Sequence, residues 1–275
     1  MKILKFILIF VLAGLTSCSS DSSGGSSVSN ALTVNGTTVT LGTVIAQKSE
    51  ESLFIYASAS DGSSIQIGFN KYGNLESVIY DDQNFNSFYN YQYFKSNYFD
   101  FDLISINESN NSVKISYSGI LYSNENDLES NSVSISGSFN VNYINQTPLI
   151  EGLGLSCKIG GQNWYETDFW DNGFSNVDRK FISDDDKMII MNFEDESIEP
   201  GTYTFNGSNV NKLSLAKFNT TTKEYDSYNT SGTVTITSNT IVSGVVRVIE
   251  GTFSFTATNG SNTIEVTNGT FKTNF

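Results

Sequence analysis

In "GTFSFTATNG", residues 251–260, Phe253, Phe255 and Ala257 fall on one parity, and Thr252, Ser254, Thr256 and Thr258 on the other. A period of two sends alternate side chains to opposite faces of a strand, so one face is apolar and the other wet. The same alternation runs through "SVKISYSGILYS" and "SVSISGSFNVNYI" in the first half, and through "GTVTITSNTIVSGVVRVIE" from residue 232. Gly, Asn, Ser and Asp separate these runs, and no segment carries an apolar stripe at helical spacing. The pattern predicts an all-β chain of antiparallel strands, built as sandwich-like or barrel-like units with one solvated face. The Asn259-Gly260 pair predicts a hairpin turn, because both residues tolerate positive φ, and "TNGT" at 267–270 predicts a second.

Two stretches of the chain resemble each other. "LTVNGTTVTL" near residue 32 parallels "CKIGGQNWYET" near 157, and "SISGSFNVNY" at 134–143 parallels "VTNGTFKTNF" at the C-terminus. "NQTPLIEG", residues 145–152, holds one of only two prolines and marks the boundary. Two tandem β domains, 31–147 and 148–275, are predicted, since a repeat of about 120 residues far exceeds a solenoid's period.

The N-terminus reads as a secretion signal. Lys2 and Lys5 precede the apolar run Phe6 to Leu15, which is too short to span a bilayer. The run ends in Leu15-Thr16-Ser17-Cys18, a pattern that resembles the lipobox of bacterial lipoproteins. That resemblance implies a signal peptide of residues 1–17 and a lipid on Cys18, because only a thiol can form the thioether. Several acyl chains, at about 0.8 kcal/mol per buried CH₂, would hold the chain durably on a membrane. Residues 18–30 are Ser/Gly-rich and read as a flexible tether with an r.m.s. span of roughly 20 Å.

Composition narrows the function classes. Loss of residues 1–17 from 275 leaves 258, and removes two of 15 basic residues and none of 29 acidic ones; 13 less 29 is a net charge of −16. Such a field repels polyanions, so no nucleic-acid partner is predicted. Histidine is absent, which excludes Ser-His-Asp and Cys-His catalysis and every metal site needing imidazole. Cys157 is the second of two cysteines and falls on the parity of Leu153, Leu155 and Ile159, where a small buried hydrophobe fits. Gly-x-Gly precedes it, but the third glycine of a nucleotide-binding fingerprint is missing.

"EPGTYTF" at 199–205, "SGTVTIT" at 231–237 and "GTFSFTATNGSNTIEVTNGTF" at 251–271 are similar to a β-rich domain of lipoproteins from Bacteroidetes, especially flavobacteria. "GGQNW" at 160–164 fits that family's opening strand and its tryptophan. The likeness covers roughly 153–275 and is weak over 31–147, where the "GTYT" element is missing. It implies an envelope location, in or on the outer membrane, and a fold. The family has no assigned activity, so no catalytic residue carries over.

The remaining candidates are local. In "FYNYQYFKSNYFDFDL", Tyr89, Tyr91 and Tyr93 alternate with Asn90 and Gln92; then Phe99, Phe101 and Leu103 alternate with Tyr98, Asp100 and Asp102. Tyrosine rings beside carboxylates would suit a sugar, although tyrosine is also a favoured strand residue. "QNWYETDFWDNG" holds both tryptophans; Trp164 reads as packing, whereas Trp170, with Asp171, is a candidate ligand contact. The acid clusters Asp81-Asp82, Asp184 to Asp186 and Glu194 to Glu196 lack calcium-loop spacing and read as solvated loops. No cofactor is predicted, and a structural calcium ion is the one metal the acids bring into view. Paired carboxylates could hydrolyse glycosides without histidine, but small tandem β units more often bind than catalyse. The sequence therefore points to a lipid-anchored, non-catalytic envelope protein that binds carbohydrate or, alternatively, another envelope protein through a sheet edge or the Trp loop.

Overall fold

The computed structural model describes residues 30–171 and 177–274. The signal peptide, Cys18, and tether residues 18–29 lie outside the described residues, as do the side chains of Asp171 and Val177. Among the described residues the chain is all β, with one 3-10 turn at Lys95–Asn97 and no α-helix.

Ten strands precede residue 147: β1 (Ala31–Val34), β2 (Thr37–Val39), β3 (Leu41–Ser49), β4 (Ser52–Ala59), β5 (Ser64–Asn70), β6 (Leu75–Asp81), β7 (Ser87–Tyr89), β8 (Phe99–Asn107), β9 (Ser112–Tyr122) and β10 (Ser132–Gln146). They form one sheet in the order β2-β1-β10-β3-β4-β5-β6-β7-β9-β8. Because β10 also pairs with β9, the strands from β3 to β7 close into a ring with β9 and β10. The closure between β7 and β9 is one residue pair, Tyr89 opposite Tyr122. Leu32, Ile55, Ile65, Ile67, Phe69, Ile115 and Phe139 fill the ring. β8 hangs on the outer edge of β9 and ends the sheet.

Eleven strands follow: β11 (Gly154–Ile159), β12 (Gln162–Tyr165), β13 (Asp168–Asp171), β14 (Val177–Ile182), β15 (Lys187–Phe193), β16 (Gly201–Asn206), β17 (Lys212–Asn219), β18 (Glu224–Ser227), β19 (Asn229–Val242), β20 (Val246–Asn259) and β21 (Asn262–Asn274). They make a six-stranded sheet, β12-β11-β21-β20-β19-β16, and a five-stranded sheet, β13-β14-β15-β17-β18. One core of residues from both sheets, including Phe181, Ile189, Phe193, Phe253, Phe255 and Val266, lies between them, so this half is a sandwich. In each half the first strand opens a hairpin and pairs antiparallel with the last: β1 with β10, and β11 with β21.

Cross-strand aromatics over glycine recur in both halves. Phe99 faces Gly119, Tyr117 faces Gly137, Phe255 faces Gly232, Phe271 faces Gly251 and Phe253 faces Gly269. At four of these the ring lies where a partner Cβ would stand; a Cβ on Gly119 would meet the Phe99 ring at 2.5 Å, whereas at Gly232 the Ser254 carbonyl and the Phe255 Cβ occupy that space. These strand glycines are explained by close approach rather than by turns.

Several local expectations need correction. "TNGT" is no turn: Asn268, at φ 53, forms a bulge inside the long β21, where both neighbouring strands shift register. The hairpin after β20 turns on Gly260 and Ser261, one residue later than predicted, with Asn259 paired to Asn262. Gly260 alone takes positive φ, the requirement of a turn with glycine first. Leu153 lies before β11 and is exposed, whereas Leu155, Cys157 and Ile159 are buried.

Candidate functional site

The tyrosine run does not form one strand. β7 stops at Tyr89 because Asn90, 5% exposed, takes over the pairing with its side chain: Val78 N–H donates to its Oδ1 at 2.6 Å, and its Nδ2 donates to the Tyr91 carbonyl at 3.0 Å. The chain then turns at Phe94, which takes φ 43, into the 3-10 turn. Tyr91 is 2% exposed and meets Tyr93 and Tyr98 edge-on at 5.4 and 4.9 Å. Tyr93 stacks on Phe218 of β17 at 5.2 Å and meets Trp170 of β13 edge-on at 5.7 Å. Trp170, the candidate ligand contact, is half-buried, because Tyr93 and Tyr225 pack around it. The tyrosines thus join the two halves, edge-on to each other and packed against Phe218 and Trp170.

Polar contacts reinforce this junction. Asp184 reads as solvated in the sequence but is only partly exposed, its carboxylate held by the first half. Asn74 Nδ2 donates to its Oδ1 at 3.0 Å and the Leu75 N–H to its Oδ2 at 3.2 Å. Its backbone carbonyl accepts from the N–H and the hydroxyl of Ser96, at 2.8 and 3.0 Å. Burial pushes the Asp184 carboxyl above its ordinary range despite these donors. Asp185 accepts the indole N–H of Trp164 at 3.0 Å and pairs with Lys187; Asp186 pairs with Lys187 and Lys217. Burial alone would lower the Lys187 pKa, but Asp185 and Asp186 hold it above the usual lysine range. Tyr72 stacks flat on Tyr165 at 3.5 Å, and Asn70 Nδ2 donates to the Glu166 carbonyl. Among the described residues no group of three or more acidic or thiol side chains is placed to hold a metal ion.

Lys95 is the one basic residue between Lys71 and Lys114, and nothing in the residues around it marks it as buried. It is 4% exposed, and its Nζ has no hydrogen-bond partner among the described residues. Burial lowers its pKa against the pull of Asp168, Glu76, Asp184 and Asp185. Cys157 is buried, and burial pushes its thiol up to about 12, so it is an inert core group.

Beside the junction lies a groove of about 400 Å³, lined by Leu75, Ser96, Phe99 to Asp102, Ser116 to Ser118 and Asp184. Asp100 pairs across β8 and β9 with Ser118, and Asp102 with Ser116, so four oxygen-bearing side chains form a two-by-two array. Asp100 and Asp102 are exposed, while Phe99 is buried and Phe101 half-buried, as the alternation predicts. Tyr98, half-buried, accepts a hydrogen bond from Lys223 Nζ at 3.1 Å. The structure therefore gathers Asp100 and Asp102 into a groove, packs Tyr91, Tyr93, Tyr98 and Trp170 into the junction, and uses Tyr89 to close the ring. No sequence signal marked Ser96, Ser116, Ser118 or Asp184 as groove residues, because they converge from separate segments.

Residues 182–273 match the model of a family described as a domain of unknown function (DUF6252). The match covers most of the second half, including Asp184, Phe218 and Tyr225, and stops short of β8 and Trp170. No curated protein and no solved structure matches the chain.

Proposed function

We propose that the chain is a lipid-anchored protein of a bacterial cell envelope, of the Bacteroidetes lipoprotein kind, tethered to the outer membrane through Cys18. Its role is non-catalytic: it binds another envelope protein at the junction groove. The observation that carries this reading is the free edge of β8 with Asp100 and Asp102 beside that groove. An end strand offers unpaired backbone groups to a partner, and a groove gives the partner's side chains a place to sit. Carbohydrate, the other ligand class, has less support, because Tyr91 is buried and Tyr93 stacks on Phe218.

Two measurements test the reading. Cells fed a clickable palmitate should label the wild-type chain and not Cys18→Ala, which should leave the membrane fraction. After chemical crosslinking in cells, one discrete partner band should co-purify with wild type and weaken in Asp100→Arg/Asp102→Arg. Unlabelled wild type would refute the anchor, and an unchanged band would refute the groove.

A further inference from the structure

The groove's shape and charge say what kind of segment it takes, given the protein-binding reading above. Three carboxylates reach it, from Asp100, Asp102 and Asp184, and no basic residue lines it. Asp100 and Asp102 are two apart on one strand and both exposed, so they stand on the same face about 6.8 Å apart. That interval is the side-chain repeat of any strand laid beside β8. A sugar chain has no reason to match it, whereas an extended peptide matches it by construction. The run available for pairing is short: Leu103 sits against Gly73, with a bulge between Leu103 and Ser105 beyond it. Bulges of this kind blunt an edge. The regular edge left open is Phe99 to Asp102.

We propose that β8 takes up, as an added strand, a short extended segment of a partner protein with basic residues at alternate positions. The backbone of Phe99 to Asp102 supplies the pairing. Asp100 and Asp102 select the alternate basic side chains, and Asp184 bounds the far wall. The overall acidity of the chain, net −14 over all 275 residues, would speed the approach of such a segment at low salt.

The test is fluorescence anisotropy with full chain in detergent and labelled capped octapeptides. One alternates lysine and valine, a second has the same composition with its lysines in one block, and a third is the alternating peptide N-methylated at every second amide. The alternating peptide should bind. Asp100→Asn/Asp102→Asn should weaken it by about two- to thirtyfold, the range of two exposed ion pairs. Both the blocked and the N-methylated peptides should bind at least tenfold more weakly. Equal binding of the blocked peptide would overturn the alternation, and equal binding of the methylated one would overturn strand addition. If no peptide binds while the crosslinked partner band persists, this inference falls and the protein-binding reading stands. If both fail, both fall.

Discussion

Asp184→Ala should separate the two halves energetically. The substitution removes the acceptor of Asn74 Nδ2 and of the Leu75 N–H, both in the partly buried junction. Each stranded donor costs about 1–3 kcal/mol. The gross loss of about 2–6 kcal/mol is offset in part, because the partly buried carboxylate itself is disfavoured, as its raised pKa indicates. A net loss of about 2–4 kcal/mol follows. Both tryptophans lie in the second half, so their fluorescence reports that half alone, whereas far-UV circular dichroism reports every strand. In urea the two signals should change together for wild type. In Asp184→Ala the fluorescence and dichroism midpoints should part. A loss below about 1 kcal/mol, or midpoints that still coincide, would refute the idea that Asp184 couples the halves.

Other outcomes follow from single positions. Gly251→Ala should cost about 1–3 kcal/mol of stability, since its Cβ would clash with the Thr235 carbonyl oxygen and with the Phe271 ring. Gly42→Ala, whose Cβ would meet Ser58 at an ordinary 3.5 Å, should stay within about 0.5 kcal/mol in the same melts. Lys95→Met should stabilise the fold by about 1 kcal/mol or more at neutral pH, because it removes a buried ammonium that has no hydrogen-bond partner among the described residues. The folded pKa of Lys95 is depressed, so its favourable contribution is complete above the unfolded value near 10.5 and is lost as pH falls through the folded one. The advantage of Lys95→Met in thermal unfolding should therefore shrink as pH rises toward 10.5. Cys157 should resist a thiol reagent in native buffer and react fully in urea, since burial holds its pKa at about 12.

What the sequence made legible is what lies within one strand. Phe253, Phe255 and Ala257 read correctly because every inward position is apolar and every outward one polar. Asp100 and Asp102 read correctly for the same reason. The Tyr89–Tyr93 alternation misled because Asn90 pairs through its side chain, a competition that composition does not display. The acid run at 184–186 has the composition of a solvated loop. The partial burial of Asp184 depends on Asn74 and Leu75, about 110 residues earlier in the chain, so nothing nearby could announce it. The groove was hidden on the same ground: β8, β9, Ser96 and Asp184 meet only once both halves are folded and docked.

A photo-crosslinking residue placed at Ile104, exposed and two residues along β8 from Asp102, tests the central claim most directly in living cells. The control is the same residue at Ile144 of β10, which is more exposed and lies away from that edge in sequence and pairing. The account predicts one discrete adduct from position 104, lost when Asp100 and Asp102 become asparagine, and none from position 144. Equal adducts from both positions, or an adduct at 104 indifferent to the two acids, would contradict it.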